Sequence, residues 1–136
     1  MQPPAKSAYV LLLLAILVAG PAHAENATVQ LVPGFRFEPA QVTIEAGESV
    51  IWVNSDGEVH STTNGTGYED PEWGLLWDFW FFAGPEEIFT YTFVTPGVYP
   101  YFCYPHLGLE MVGTVTVQAP SGVESSSWGE VKALFR

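Results

Sequence analysis

The chain has 136 residues, 48% of them hydrophobic and 15% aromatic, which is enough apolar material for one folded domain and too much for a disordered segment. Its 15 Asp and Glu residues outnumber its 4 Lys and Arg residues, so the formal net charge is −11. A surface of this sign repels nucleic-acid phosphates and attracts a basic protein partner, which argues against nucleic-acid binding.

The first 24 residues have the pattern of a secretory signal peptide. A basic start with Lys6 precedes an apolar run from Tyr9 to Ala19, and Ala22-His23-Ala24 matches an A-x-A cleavage site. This run has 11 residues, whereas a membrane-spanning helix needs about 20. We therefore expect residues 1–24 to be a cleaved signal, with an uncleaved anchor as the alternative. The mature protein is then exported: periplasmic, otherwise extracytoplasmic, or secreted.

Residues 25–118 contain short runs rich in β-branched and aromatic residues, separated by turn residues. The alternation of 41–45 is typical of a half-buried strand, whereas residues 64–87 look irregular. Strands are predicted at 27–32, 41–45, 49–54, 59–63, 87–94, 98–103 and 112–118. Short strands between turns at this spacing predict an all-β domain, either a sandwich or a barrel.

Residues 119–136 are predicted to be a separate C-terminal tail. Pro120-Ser121-Gly122 ends the last strand, and Ser127-Trp128-Gly129-Glu130 fits a capping box ahead of a short apolar run. A helix this short is marginal in water unless it packs against another surface. We expect the tail to be either a short helix or disordered.

After residue 24 the chain has one cysteine, two histidines and one methionine. Three of them, Cys103, His106 and Met111, form a C-x2-H-x4-M pattern between two predicted strands, and the fourth is His60. One thiolate, two imidazoles and a distant thioether are the ligand set of a blue copper electron-transfer site. The pattern therefore predicts that these four residues bind one copper ion and that the protein carries electrons and is not an enzyme.

Other readings of the same residues remain open. One Cys and two His with a water molecule form a catalytic zinc site, but this leaves Met111 unexplained. A Cys–His nucleophile needs an orienting third group and an oxyanion hole, and nothing in the sequence points to either. A copper protein for storage, delivery or sensing is the alternative function, and an adhesion or interaction domain without metal is a further one.

Several motifs resemble the cupredoxins, the blue copper family, of the plastocyanin and pseudoazurin type. The resemblance covers about residues 27–118 and is strongest in Tyr101-Phe102-Cys103-Tyr104-Pro105-His106 and in Val50-Ile51-Trp52-Val53-Asn54. Residues 35–40 and 44–48 also resemble the opening strands of the family.

This resemblance implies a Greek-key β-sandwich with copper at one end. It implies the ligands His60, Cys103, His106 and Met111. It further implies that the backbone N–H of Ser61 bonds the Cys103 sulfur, and that His106 lies nearest the surface and is the exit for the electron.

The sequence departs from the family pattern in three places. The segment 73–82 is unusually aromatic, and we expect it to pack in the core or in loops more than to form a docking face. Glu58 and Glu110 are close in sequence to proposed ligands, so a carboxylate could replace or supplement the axial group. The tail beyond Gln118 exceeds what the fold needs.

An electron carrier needs brief encounters, so a small docking patch is expected. The acidic composition predicts a transient redox partner with a basic docking face, such as a cytochrome or an oxidase domain. We expect the protein to be a monomer that has no stable membrane insertion once the signal is cleaved.

Overall fold

The structure is a computed structural model and describes residues 26–121 except Ala83 and Pro85. The predicted signal, residues 1–24, and the tail from residue 122 lie outside the described residues. Within the described part there are nine strands and one 3₁₀ helix: β1 (Ala27–Val32), β2 (Arg36–Glu38), β3 (Gln41–Glu45), β4 (Ser49–Asn54), β5 (His60–Asn64), β6 (Asp78–Phe81), β7 (Ile88–Thr92), β8 (Gly97–Phe102), the 3₁₀ helix (Tyr104–Leu109) and β9 (Val112–Gln118).

The strands form two sheets. One has the order β2-β1-β4-β7 and the other has the order β3-β9-β8-β5-β6. β1 is parallel to β4 and β3 is parallel to β9, whereas the remaining neighbours are antiparallel. This arrangement confirms the predicted all-β sandwich. Among the described residues there is no helix long and apolar enough to cross a membrane.

The core lies between the sheets because alternate residues of the strands point inward. In β4 every second side chain is buried, including Val50 and Trp52, and in β9 the same alternation buries Val115 and Val117. The indole of Trp52 contacts the rings of several other core residues: Trp77, Phe89 and Tyr101. Full burial of each large apolar side chain contributes roughly 1.5–3 kcal/mol to folding, so this cluster anchors the two sheets to each other.

The aromatic segment contains a strand that the sequence analysis did not predict. Residues 64–87 were expected to be irregular, but β6 pairs antiparallel with β5 at the edge of its sheet. The aromatic side chains of the segment differ in exposure, since Trp77 and Phe81 are buried in the core whereas Phe82 is 68% exposed. β6 is four residues long and pairs with one strand only, which leaves little periodicity for a sequence pattern to reveal.

One end of the sandwich brings the predicted metal-binding residues together. β8 and β9 are neighbours in one sheet, and the loop between them contains the 3₁₀ helix. β5 lies beside β8, with Thr63 opposite Phe102, so the start of β5 is adjacent to this loop. His60, at the first position of β5, is therefore placed next to the loop that contains the other three candidates.

Candidate metal centre

Three of the four predicted ligands converge at this end of the sandwich. The donor atoms of His60, Cys103 and His106 all lie within 4.8 Å of one another. The Cys103 Sγ is 3.7 Å from His60 Nδ1 and 3.3 Å from His106 Nδ1. His60 and Cys103 are buried, and His106 is half-buried. One sulfur and two imidazole nitrogens at this separation fit around a single soft metal ion, as copper is in its reduced state.

Met111 lies at the other end of the loop that Cys103 begins. Its side chain is completely buried, and its backbone carbonyl accepts a hydrogen bond of 2.9 Å from the N–H of Cys103. The N–H of His106 in turn donates to the carbonyl of Cys103 at 3.2 Å, and Glu110 turns the chain with a left-handed φ of 61°. The loop therefore closes on itself, which holds Cys103 and Met111 next to each other.

The Cys103 sulfur is buried and accepts a hydrogen bond from a backbone N–H. The N–H of Ser61 donates to Sγ at 3.3 Å, which confirms the bond that the family resemblance implied. Burial raises the pKa of the Cys103 thiol above its ordinary value of 9.0, while hydrogen bonds from Ser61 and His106 act in the opposite direction. In the metal-free protein the thiol therefore keeps its proton, and binding of a metal would displace it.

The buried ligand candidate His60 has a carboxylate partner. Its Nε2 lies 3.0 Å from Oδ1 of Asp56, and the exposed fractions of the two side chains are 0% and 7%. Asn54 shapes the intervening turn, because its Nδ2 donates to the carbonyl of Glu58 and its Oδ1 accepts from Asp56 and Gly57. A carboxylate on the second nitrogen of a ligand imidazole fixes the ring orientation and increases its basicity.

Asp56 is a site residue that the sequence analysis missed. Its only sequence signal is a position four residues before His60 in a turn-forming stretch, where an acidic residue is ordinary. The contact depends on the fold of the turn, in which Asp56 also accepts the N–H of Glu58 at 2.9 Å.

The partly exposed candidate, His106, is covered by an aromatic ring. Phe35 lies against it with the ring centroids 4.3 Å apart and the planes inclined by 33°. Phe35 is in the turn between β1 and β2, has a left-handed φ of 54° and is 36% exposed. The pKa of His106 is lowered below its ordinary value of 6.5, mainly by burial and to a smaller extent by the nearby His60. Its ring is therefore neutral and available to a metal at neutral pH.

The two glutamates near the ligands in sequence are not part of the donor cluster. Glu58 and Glu110 are both exposed, and the cluster found within residues 26–121 contains two histidines and the cysteine but no carboxylate. Glu110 instead caps the 3₁₀ helix, where its N–H donates to the carbonyl of Leu107 at 2.9 Å. The expectation that a glutamate could act as an axial ligand therefore gains no support from the geometry.

The chain is similar to known copper-binding proteins. The family model described as copper binding proteins, plastocyanin/azurin family, matches residues 25–118. A plastocyanin from Scenedesmus fuscus is 39% identical over 92 residues, which are 60% of this chain and 86% of that protein. A chloroplastic plastocyanin from Tetradesmus obliquus is 37% identical over 94 residues, and this chain spans 58% of its length.

The fold is also similar to that of a solved copper protein. The amicyanin of Paracoccus versutus superimposes with a TM-score of 0.53 at 30% sequence identity, over 74% of this chain and 86% of that one. The copper predicted from the ligand pattern, the electron-carrier function and the expectation that the protein is not an enzyme are confirmed by these relatives. Such a carrier works outside the cytoplasm and exchanges electrons with other proteins. The chain belongs to the plastocyanin/azurin family of copper-binding proteins.

Proposed function

We propose that His60, Cys103, His106 and Met111 hold one copper ion, and that the electron enters and leaves at the edge of His106. When bound, the copper supplies one-electron chemistry by alternating between Cu(II) and Cu(I). The observation that carries the ligand assignment is the convergence of three donor atoms, from two distant parts of the chain, within 4.8 Å. Met111 joins the set because it is buried on the same loop and is a soft thioether donor.

Hydrogen bonds to neighbouring residues hold these donors in place. His60 is fixed by Asp56, the Cys103 sulfur accepts the N–H of Ser61, and the loop is closed by the bond from Cys103 N–H to the Met111 carbonyl. Donors that are positioned beforehand move little when the charge of the site changes by one electron. The site is therefore suited to fast electron exchange rather than to release of its metal.

The electron path follows from the exposure of the four side chains. His60, Cys103 and Met111 are each 0% exposed, whereas His106 is partly exposed at the end of the sandwich. Exposed apolar side chains lie near it, with Phe35 at 36% exposure against its ring and Leu109 at 59% in the same 3₁₀ helix. An apolar rim lets a partner approach the imidazole edge closely and leave again, as a small and weak interface requires.

Charge supports a basic partner. Three of the chain's 15 acidic residues, Glu25, Glu124 and Glu130, lie outside the described residues, so 12 lie within them. Arg36 is the one Lys or Arg in residues 26–121. We propose a monomer that docks briefly with a protein whose redox centre is surrounded by basic residues, and that does not bind nucleic acid.

The remaining proposals concern the ends of the chain and its compartment. Residues 1–24 act as the export signal, residues 25–118 form the copper-binding domain, and residues 119–136 form a tail outside it. The secretory pattern of the first 24 residues supports delivery to a periplasm, an organelle lumen or the medium.

Docking is tested by the ionic-strength dependence of electron transfer. The rate with a basic cytochrome should fall as salt rises, because the Debye length shortens to about 8 Å at 0.15 M. The rate with a small neutral redox reagent serves as the control and should change little. Equal salt dependence of the two reactions would contradict a charge-steered encounter.

The ligand role of His106 is tested by replacing it with glycine. His106→Gly should open a gap at the surface, so that added imidazole binds the copper and changes the visible spectrum. His60→Gly is the matched control, because its gap is buried and closed to solvent. A His106→Gly protein with the wild-type spectrum, unaffected by imidazole, would remove His106 from the ligand set.

A further inference from the structure

A continuous series of hydrogen bonds links the ligand loop to an acidic residue on β6. The N–H of Tyr104 donates to Oγ of Ser61 at 2.7 Å, and Oγ of Ser61 lies 3.0 Å from Oγ1 of Thr63. Thr63 then donates to Oδ1 of Asp78 at 2.7 Å. Both hydroxyl residues are completely buried, whereas Asp78 is exposed. We call these four residues the Asp78 relay.

The chemistry of the end groups fixes the direction of every bond in the relay. A backbone N–H only donates, and an ionised carboxylate only accepts. Each hydroxyl has a single proton, so the proton of Thr63 goes to Asp78 and its oxygen is left to accept from Ser61. The oxygen of Ser61 is then the acceptor for Tyr104. Asp78 therefore determines how the Thr63 hydroxyl points, and Thr63 in turn offers its oxygen to the hydroxyl of Ser61.

The relay includes Ser61, which contacts both the proposed copper ligand Cys103 and the residue that follows it. The N–H of Ser61 donates to the Cys103 sulfur, and its hydroxyl accepts from the N–H of the next residue, Tyr104. Ser61 thus holds the sulfur of Cys103 and also the backbone directly after Cys103. The antiparallel register of β5 and β6 places Asp78 directly opposite Thr63, so the strand that the sequence did not predict supplies the end of the relay.

We propose that Asp78 is a positioning residue of the copper site, which orients Thr63 and Ser61 and through them holds the start of the ligand loop. The inference rests on the proposed role of Cys103 as a ligand. A bond to a charged acceptor is stronger than one between neutral groups, so the carboxylate gives the relay a fixed end. Without it the Thr63 proton is free to turn toward Ser61, and the ordered sequence of donors and acceptors is lost.

The first test uses the metal-free protein and is independent of copper. Amide hydrogen exchange at Tyr104, followed by NMR, should be about fivefold faster in Asp78→Ala, because the acceptor of that N–H is no longer held. Asp78→Asn keeps an acceptor oxygen of the same size and should stay within about twofold of wild type. Glu69→Ala, which removes an exposed acidic residue outside the relay, is the control. Equal rates at Tyr104 in Asp78→Ala and wild type would overturn the proposal.

The second test separates the relay from the charge of Asp78 acting through space. In the copper-loaded protein, Asp78→Ala should shift the sulfur-to-copper band and the reduction potential, whereas in a Thr63→Val background it should add nothing. Thr63→Ser keeps the hydroxyl and should restore the dependence on Asp78. The proposal would be overturned if the band and the potential shifted as much in Asp78→Asn as in Asp78→Ala. It would also be overturned if the effect of Asp78→Ala persisted in the Thr63→Val background. Copper content should stay at the wild-type value in all of these variants, so its loss in Cys103→Ser tests the ligand set separately.

Discussion

The imidazole of His60 is held between a sulfur and a carboxylate, with Asp56 Oδ1 3.0 Å from its Nε2 and Cys103 Sγ 3.7 Å from its Nδ1. One nitrogen is therefore directed at the proposed copper and the other at an acidic side chain that is almost completely buried. This contact determines which nitrogen of His60 carries the proton, and leaves Nδ1 free to donate its lone pair to a metal.

Replacing Asp56 with Asn should weaken the site through His60. The neutral amide makes the imidazole a poorer donor, so we expect copper affinity to fall about 10- to 100-fold. The reduction potential should rise, because Cu(II) depends more on a basic ligand than Cu(I) does. Competition with a chelator measures the affinity, and Glu69→Gln controls for loss of one negative charge. The same affinity in Asp56→Asn as in wild type would show that this carboxylate does not support the ligand.

Met111→Leu should keep the copper and raise the reduction potential. The side chain is completely buried, and a Met-to-Leu change of similar volume usually costs less than about 1.5 kcal/mol. Loss of the thioether removes electron donation that favours Cu(II), which is the reason for the rise. Voltammetry of the two copper-loaded proteins measures it, and an unchanged potential would argue against Met111 as a ligand.

Gly113→Ala should destabilise the fold next to the ligand loop. Gly113 lies opposite Tyr101 across the β8–β9 pair, and a Cβ there would overlap the buried phenol ring. Overpacking of this kind costs roughly 1–3 kcal/mol, measured as a lower urea midpoint of the metal-free protein. Gly108→Ala is the matched control, because an added Cβ at that loop position meets no atom within 4 Å. Similar midpoints for both variants would contradict the packing at Gly113.

The metal-free protein should be most stable between two pH limits set by the ligand side chains. The pKa of His106 is lowered, so the unfolded chain binds more protons as pH falls below 6.5 and stability is lost there. The pKa of Cys103 is raised, so the folded chain binds more protons above pH 9.0 and stability falls as pH rises. Thermal melting across this range measures both effects. His106→Asn should lessen the loss of stability at low pH, and Cys103→Ser should lessen the loss at high pH. If neither variant had its effect, these pKa shifts would be contradicted.

The sequence predicted those strands and site residues that a short local pattern determines. Alternating residues predicted β3 at its observed bounds, Gln41–Glu45, and a run of β-branched and aromatic residues predicted β4 at Ser49–Asn54. The cysteine, histidine and methionine of the ligand loop were recognisable for a similar reason. They are rare residue types at a spacing that a single loop can fold around one ion.

What the sequence did not reveal depends on contacts between distant segments. β2 and β6 are three and four residues long, too short for a period to be read. The contact of the Phe35 ring with His106 joins residues that are far apart in the chain, and the bond from Thr63 to Asp78 exists only because β6 pairs with β5. Supporting contacts of this kind have no local signature, although in our proposal they orient the copper ligands.

The most direct measurement of the central claim is a visible and electron spin resonance spectrum of the protein after addition of Cu(II). If the thiolate and two imidazoles hold copper, the protein should bind one ion per chain, show an intense visible band and lose its colour reversibly with a reductant. Cys103→Ser should show no such band. A colourless wild-type complex, or an equally intense band in Cys103→Ser, would contradict the account.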